Sequence, residues 1–183
     1  LRGMIRAVDE SARSAGQLLD HATVLYRAEQ RAAAPVDLRA LVVALMDRFR
    51  PTADLRDIAL ALDDRAPTPF ATRGDTVLIE AALRNLLDNA VKYSPGDTRI
   101  TVTLDTSGAK ARIAVQDRGP GLQGADPAAL IARFQRGTGV GGVVGSGLGL
   151  TIVAEVAAAT GGTFDLTDRE GGGTCATLWL PLG

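Results

Sequence analysis

Cysteine and histidine are nearly missing from this 183-residue sequence, which contains one of each. Cys175 has no partner for an internal disulfide, and the sequence offers neither a CxxC pair nor a Cys/His cluster that could hold structural zinc. Small scaffolds held together by disulfides or zinc are therefore excluded. The cysteine content predicts a protein of a reducing compartment.

An excess of charge of one sign is also missing, and so is a long apolar run. With 20 basic and 21 acidic residues, the net charge of -1 gives no electrostatic reason to expect nucleic acid or an anionic membrane as a partner. No apolar stretch approaches the roughly 20 residues of a membrane-spanning helix, and no signal peptide opens the chain. Because 46% of the residues are hydrophobic, we expect a soluble domain with one substantial core.

Residues 1–34 are predicted to form a helix outside the main domain. Apolar residues follow one another at alternating steps of three and four, the spacing of a packed helical seam: Ile5, Val8, Ala12, Ala15, Leu19, Ala22 and Tyr26. A single helix cannot bury such a seam, so we expect a helical hairpin or bundle, with a helix folded back onto its own domain as the alternative. His21 falls off the seam and is expected to be a surface histidine.

After a break at Pro35, residues 35–183 are predicted to form a second domain. Helices are expected at Val36–Arg50 with Asp37 as the N-cap, from Asp75 to Tyr93, and, more briefly, at Pro127–Phe134 and Leu148–Thr160. Strands are expected at Ile58–Leu62, Arg99–Asp105, Ala111–Asp117, Thr163–Thr167 and Thr174–Leu180. This alternation predicts an α/β two-layer sandwich with a mixed, mostly antiparallel sheet.

Three segments of this domain carry residues suited to chemistry. Asn85, Asn89 and Lys92 share one helix face and could offer oxygen ligands to a hard cation and a positive charge to a phosphate, with a solvated face as the alternative. Asp117 ends a strand before two glycines and could accept a hydrogen bond from an exocyclic amine. The glycine-rich run at 145–150 leads into a helix whose free N–H groups could cradle phosphates.

In this order the three segments resemble the N, G1 and G2 boxes of the histidine-kinase branch of the gyrase, chaperone, kinase and mismatch-repair ATPase superfamily. The resemblance is carried by RNLLDNAVKYS at 84–94, DRGPGL at 117–122 and GSGLGL at 145–150. ARFQRG at 132–137 is similar to the family's F box. The resemblance covers residues 36 to 182 and implies a Bergerat-type ATP-binding fold.

For the phosphate end of the nucleotide, the resemblance implies a set of contacts. Asn89 would ligate Mg²⁺ with Asn85 beside it, and Lys92 would contact phosphate. The phosphate side of the nucleotide lid would be formed by Gly145, Ser146, Gly147, Leu148 and Gly149. Arg133 or Arg136 would add a phosphate contact, and Phe134 would anchor the lid or, as the alternative, only pack.

For the adenine end, the resemblance assigns the amino group of the base to Asp117. Gly119 and Gly121 would shape the pocket around that carboxylate. Tyr93 would pack on the adenine, although a ring that continues the apolar stripe into the core is an alternative, and a partly buried ring satisfies both. ATP and Mg²⁺ are thus the expected ligands.

Asn85 stands where the hydrolysing members of the superfamily place a glutamate that activates water. A carboxamide is no base at neutral pH, so the γ-phosphoryl group should survive until a better nucleophile is aligned with it. We therefore expect a protein-histidine kinase that donates phosphate to a histidine. One alternative is an ATP-hydrolysing member that uses nucleotide-driven conformational change. Another is a signalling module that has lost ATP binding, but the presence of Asn89 and Asp117 counts against that module.

The sequence around His21 lacks the pattern of the family's phosphoacceptor histidine, so no catalytic residue is expected within this chain. Residues 1–34 resemble the second helix of the dimerisation and phosphoacceptor hairpin, which places the histidine upstream. The expected partners are that hairpin, a response regulator and a second copy of the chain through the N-terminal helix. The expected location is the cytoplasmic portion of a membrane-anchored bacterial sensor.

Overall fold

A computed structural model of the protein describes residues 33–131 and 148–183. Its elements in chain order are β1 (Ala34–Asp37), α1 (Leu38–Asp54), β2 (Ile58–Asp64), β3 (Ala71–Gly74), α2 (Thr76–Tyr93), β4 (Thr98–Ser107), β5 (Lys110–Gln116), α3 (Pro127–Ile131), α4 (Gly149–Ala159), β6 (Thr163–Asp168) and β7 (Thr174–Pro181). Within these two ranges, no helix has both the length and the apolar character needed to cross a membrane. The helix predicted at the N-terminus lies outside the described residues, and the division into two domains stays a prediction.

The main sheet has five strands in the order β2-β4-β5-β7-β6. The β2–β4 pair is parallel, whereas β4–β5, β5–β7 and β6–β7 are antiparallel. Strands β1 and β3 form a separate antiparallel pair. The predicted two-layer sandwich with a mixed, mostly antiparallel sheet is confirmed.

The core lies between this sheet and the helices. Alternate strand residues point into it and are fully buried: Ile100, Val102, Leu104, Ile113, Val115, Leu178 and Leu180. Helix α2 adds Ile79, Leu83, Leu86, Leu87 and Ala90, and α4 adds Ile152, Val153 and Val156. Since each buried Leu, Ile or Val contributes about 1.5–3 kcal/mol, this layer fixes how α2 and α4 sit on the sheet.

Helix α1 differs from its predicted bounds at both ends. Asp37 is its N-cap as predicted, because its Oδ1 accepts a hydrogen bond from Ala40 N at 2.9 Å. Val36, expected to be helical, belongs to β1 and pairs with Thr72. The helix also continues past Pro51 to Asp54, because Pro51 removes only one hydrogen bond near the end and the last turn buries Ala53 completely.

The short strands β1 and β3 were not predicted from the sequence. Each has four residues and no clear alternation of apolar and polar positions. They are stabilised by distant contacts with the C-terminus, where Gly183 N donates to Ala71 O at 3.1 Å and Thr72 Oγ1 donates to Pro181 O at 2.6 Å. Such long-range contacts leave no local pattern in the sequence.

Candidate functional site

One side of the site is a face of helix α2. Asp75 fixes the start of this helix, because its Oδ1 accepts a hydrogen bond from Val77 N at 2.8 Å. The helical period then places Asn85, Asn89 and Lys92 beside the apolar stripe that enters the core. Asn85 is buried, whereas Asn89 and Lys92 are partly exposed.

Gly149, the first residue of α4, lies directly against this face. A Cβ atom at position 149 would come within 3.1 Å of Asn85 Oδ1 and within 3.5 Å of Asn89 Nδ2. Asn85 is itself held in place, because its Nδ2 donates to Ala81 O at 2.8 Å. The glycine therefore permits a close approach that brings the α2 face and the start of α4, two of the three predicted segments, into one site.

Part of the glycine-rich segment lies outside the described residues. Leu148 is buried, and its side chain provides no cap for α4, so the N–H groups of the first turn depend on other acceptors. The predicted site residues that fall outside the described ranges are Gly145, Ser146, Gly147, Arg133, Phe134 and Arg136. The predicted helix at Pro127–Phe134 is described as far as Ile131.

Arg56 holds the C-terminal end of α2, although the sequence did not suggest a role for it. Its guanidinium donates from Nη1 to Val91 O and from Nη2 to Ser94 O, the latter at 3.5 Å. A cation at this end satisfies terminal carbonyl groups and is favoured by the helix dipole. The last turn of α2, which carries two predicted site residues, is thereby fixed.

Those two residues, Lys92 and Tyr93, lie side by side. Lys92 Nζ is 5.1 Å from the centroid of the Tyr93 ring, within the range of a cation–π contact. Burial, together with the charge of Asp88, raises the pKa of Tyr93. The ring is partly buried and stays neutral at physiological pH, so it presents an apolar surface with a polar tip.

Asp117 is buried and is held by backbone hydrogen bonds. It is 8% exposed, and its Oδ1 accepts hydrogen bonds from Gly119 N at 2.7 Å and from Thr174 N at 2.9 Å. Its own N–H donates to Thr174 O at 3.0 Å. Burial raises the pKa of the Asp117 carboxyl, while the two backbone donors and the charge of Arg169 act in the opposite direction.

The two glycines after Asp117 are required by close contacts. A Cβ at Gly119 would lie 2.9 Å from Tyr93 O, so this glycine lets the loop reach the end of α2. Gly121 has a φ of +72°, and a Cβ there would lie 2.6 Å from Asp168 Oδ1. The loop at 117–122 thus joins the α2 face on one side and the β6–β7 hairpin on the other.

Sequence reasoning missed the contribution of that hairpin. Thr174 binds Asp117 through both backbone groups, and Gly173 has a φ of +103° with its Cβ position only 2.2 Å from Asp117 O. Arg118 Nη1 also donates to Gly171 O at 2.9 Å. The glycine string at 171–173, between the last two predicted strands, was the available signal.

The described residues suit a ligand with a flat, amine-bearing group at one end and negative charge at the other. The oriented Asp117 carboxylate can accept from an amine, and the glycine backbone beside it admits a flat ring. At the other end are carboxamides, an ammonium group and the start of a helix, which suit phosphates and a hard cation. The site therefore fits a magnesium nucleotide.

Comparison with known proteins agrees with a nucleotide-binding site. Residues 74–183 match the family described as histidine kinase-, DNA gyrase B-, and HSP90-like ATPases. The chain is 38% identical over 153 residues to the sensor-like histidine kinase SenX3 of Mycobacterium tuberculosis (strain ATCC 25618 / H37Rv), a match that covers 80% of this chain. It spans only 36% of that relative's length.

Solved structures extend the likeness to three dimensions. The mycobacterial sensor histidine kinase MprB superposes with a TM-score of 0.69 at 31% identity, over 81% of this chain and 97% of that one. ShkA, solved in complex with AMPPNP, gives a TM-score of 0.68 at 26% identity, over 95% of this chain and 37% of that one. The chain thus belongs to the histidine kinase-, DNA gyrase B-, and HSP90-like ATPase family, within its sensor histidine kinase branch.

Proposed function

We propose that this chain binds Mg-ATP and presents the γ-phosphoryl group to a histidine of a phosphoacceptor helix in two-component signal transduction. The observation that carries the proposal is a single site with an oriented carboxylate, Asp117, at one end and an asparagine-bearing helix face at the other. The kinase names of SenX3 and MprB support it, as does the nucleotide analogue held by ShkA.

At the base end, Asp117 would accept a hydrogen bond from the adenine amino group. Its Oδ1 already accepts two backbone N–H groups, which fixes the direction of the carboxylate before a ligand arrives. A purine with a carbonyl group at that position would meet repulsion instead. Tyr93 would pack on the base, with Gly119 and Gly121 leaving room for it.

At the phosphate end, Asn89 would be a ligand of Mg²⁺ and Asn85 would lie beside it. Carboxamide oxygens suit this hard cation. When bound, the cation neutralises phosphate charge. Lys92 would add a positive charge, and the start of α4 at Gly149 would add N–H donors. The proposal also gives phosphate or lid contacts to Gly145, Ser146, Gly147, Leu148, Arg133, Phe134 and Arg136.

Phosphotransfer is favoured over hydrolysis because of the residue at position 85. Asn85 is buried, and its Nδ2 is engaged by Ala81 O, so the side chain can neither take a proton from water nor move freely toward one. Water is then a poor nucleophile, and the γ-phosphoryl group is preserved until an imidazole is aligned with it. The hydrolysing alternative would need another base.

The proposed setting is that of a sensor kinase. The phosphoacceptor hairpin of the same protein would receive the phosphate, and a response regulator would receive it next. A second copy of the chain would associate through the N-terminal helix. We place the chain in the cytoplasmic portion of a membrane-anchored bacterial sensor.

The proposal is tested by following phosphate release from Mg-ATP by the purified chain. Bound nucleotide is measured in the same sample by equilibrium dialysis, and Asp117→Ala serves as the non-binding control. We expect stoichiometric binding with negligible release of inorganic phosphate. Sustained turnover would support the hydrolysing alternative, and a failure to bind ATP would refute both.

A further inference from the structure

Asp168, the last residue of β6, contacts the backbone of the loop at 117–122. Its Oδ1 accepts a hydrogen bond from Leu122 N at 2.7 Å, across 46 residues of sequence. The same oxygen lies 2.6 Å from the position that a Cβ on Gly121 would occupy. The carboxylate therefore packs directly on the loop backbone, at a point that only glycine can occupy in this conformation.

The position of Asp168 in the strand pair gives this contact its significance. Asp168 is the partner of Thr174 in the β6–β7 register, and Thr174 N holds Asp117 Oδ1 at 2.9 Å. One end of one strand pair thus holds both the first and the last residue of the loop. Without the Asp168 contact, the 117–122 segment loses its anchor at Leu122.

The hairpin turn itself does not depend on the Asp168 side chain. Arg169 N donates to Gly173 O at 2.8 Å, and Gly172 N donates to Arg169 O at 3.1 Å, so the turn closes through its own backbone. The Asp168 carboxylate is exposed and is directed at the neighbouring loop. This arrangement favours a role in the loop over a role in the stability of the hairpin.

We infer that Asp168 is a positioning residue for the base end of the site, which fixes the 117–122 backbone so that Asp117 selects a purine with an exocyclic amine. This inference rests on the proposed function. Asp168 does not touch the base in this scheme, and it acts through Leu122 and Gly121. The expected signature is a loss of base discrimination, without a general loss of nucleotide binding.

The test compares the affinities of ATP and of purine riboside triphosphate, which lacks the 6-amino group, by isothermal titration calorimetry. For Asp168→Ala we expect ATP affinity to fall about 5- to 20-fold, the effect of one charge-assisted hydrogen bond, and the affinity of the analogue to stay within about twofold. Asp168→Asn keeps a neutral acceptor, so the ATP preference should fall about two- to threefold. The matched control is Asp165→Ala on the same strand, whose carboxylate binds Trp179 Nε1 instead.

The outcomes separate the inference from the proposed function. An unchanged ratio of the two affinities in both Asp168 variants, or equal weakening of both ligands, would overturn the positioning role. Faster hydrogen exchange at the Leu122 amide in the variants would support it independently of any ligand. If the unsubstituted chain binds neither nucleotide, the proposed function fails, and the inference fails with it.

Discussion

The base end and the phosphate end of the site are built in different ways. At the base end, backbone and side-chain hydrogen bonds join the loop at 117–122 to a hairpin about 50 residues away in the sequence. At the phosphate end, Asn85, Asn89 and Lys92 stand on a single helix and follow its period. The base end depends on contacts between distant segments, whereas the phosphate end depends on one helix. Substitutions should therefore affect the two ends differently.

The largest effect is expected from Asp117→Ala. The variant removes the acceptor for the base and leaves the N–H groups of Gly119 and Thr174 without their partner, so ATP affinity should fall about 100-fold or more. Isothermal titration calorimetry measures the ATP affinity, and Asp47→Ala on the exposed face of α1 is the control. Unchanged affinity would remove the basis for the proposed pocket.

A pair of neighbouring glycines tests whether the hairpin matters to the base end. Gly172 and Gly173 have φ values of +93° and +103°, but a Cβ at 172 meets nothing within 4 Å, whereas one at 173 would be 2.2 Å from Asp117 O. Both substitutions to Ala cost about 1–2 kcal/mol of backbone strain, and only Gly173→Ala displaces Asp117. We expect a loss of ATP affinity of about 10-fold or more for Gly173→Ala and less than about twofold for Gly172→Ala. Equal losses would mean that strain alone matters.

At the phosphate end, Asn89→Ala should remove the magnesium dependence of ATP binding. The affinity measured with Mg²⁺ should fall about 10-fold, to the value measured with a chelator, because the carboxamide ligand is lost. Glu80→Ala is the control on the same helix, where the Glu80 carboxylate pairs with Arg48 at the surface. Full magnesium dependence in Asn89→Ala would contradict the assigned ligand.

The smallest effect is a gain in stability from Asp117→Asn. Burial raises the folded pKa of Asp117 above its unfolded value, so the folded chain binds this proton more tightly and the carboxylate opposes folding above the folded pKa. The amide removes that penalty and keeps an acceptor for Gly119 N and Thr174 N. We expect the Tm at pH 7 to rise by about 1–3 °C, with no gain at pH values well below about 4, where the carboxyl is protonated in both states. A lower Tm at pH 7 would show that the two N–H groups require the charge.

The sequence predicted the local features of this molecule well. Capping by Asp37 and Asp75, the long helix α2 and the main strands follow from apolar periodicity and from residues that satisfy free N–H groups. The placement of Asn85 and Asn89 on one face has the same origin. The family resemblance then identified the expected ligand. Periodicity alone does not distinguish a ligand-binding helix face from a solvated one.

The features that were missed depend on contacts between distant segments. Strands β1 and β3 are held by the C-terminus, and Asp168 and Thr174 act on residues 46 and 57 positions away. The first helix of this domain was expected to end at Arg50, but the burial of Ala53 carries it through Pro51 to Asp54. In each case tertiary packing outweighs or replaces the local signal.

The two backbone donors on Asp117 Oδ1 restrict how this family member could change its base preference. Any residue at position 117 must first accept from Gly119 N and Thr174 N, which a lysine or arginine cannot do. A lysine or arginine at this position would therefore leave two amide groups unpaired, at a cost of about 1–3 kcal/mol each. An asparagine keeps the acceptor and offers its Nδ2 donor to a base carbonyl. Unless the β6–β7 hairpin is remodelled as well, a new base preference must come from a residue that keeps this acceptor, so the fold restricts the choice of side chain at position 117.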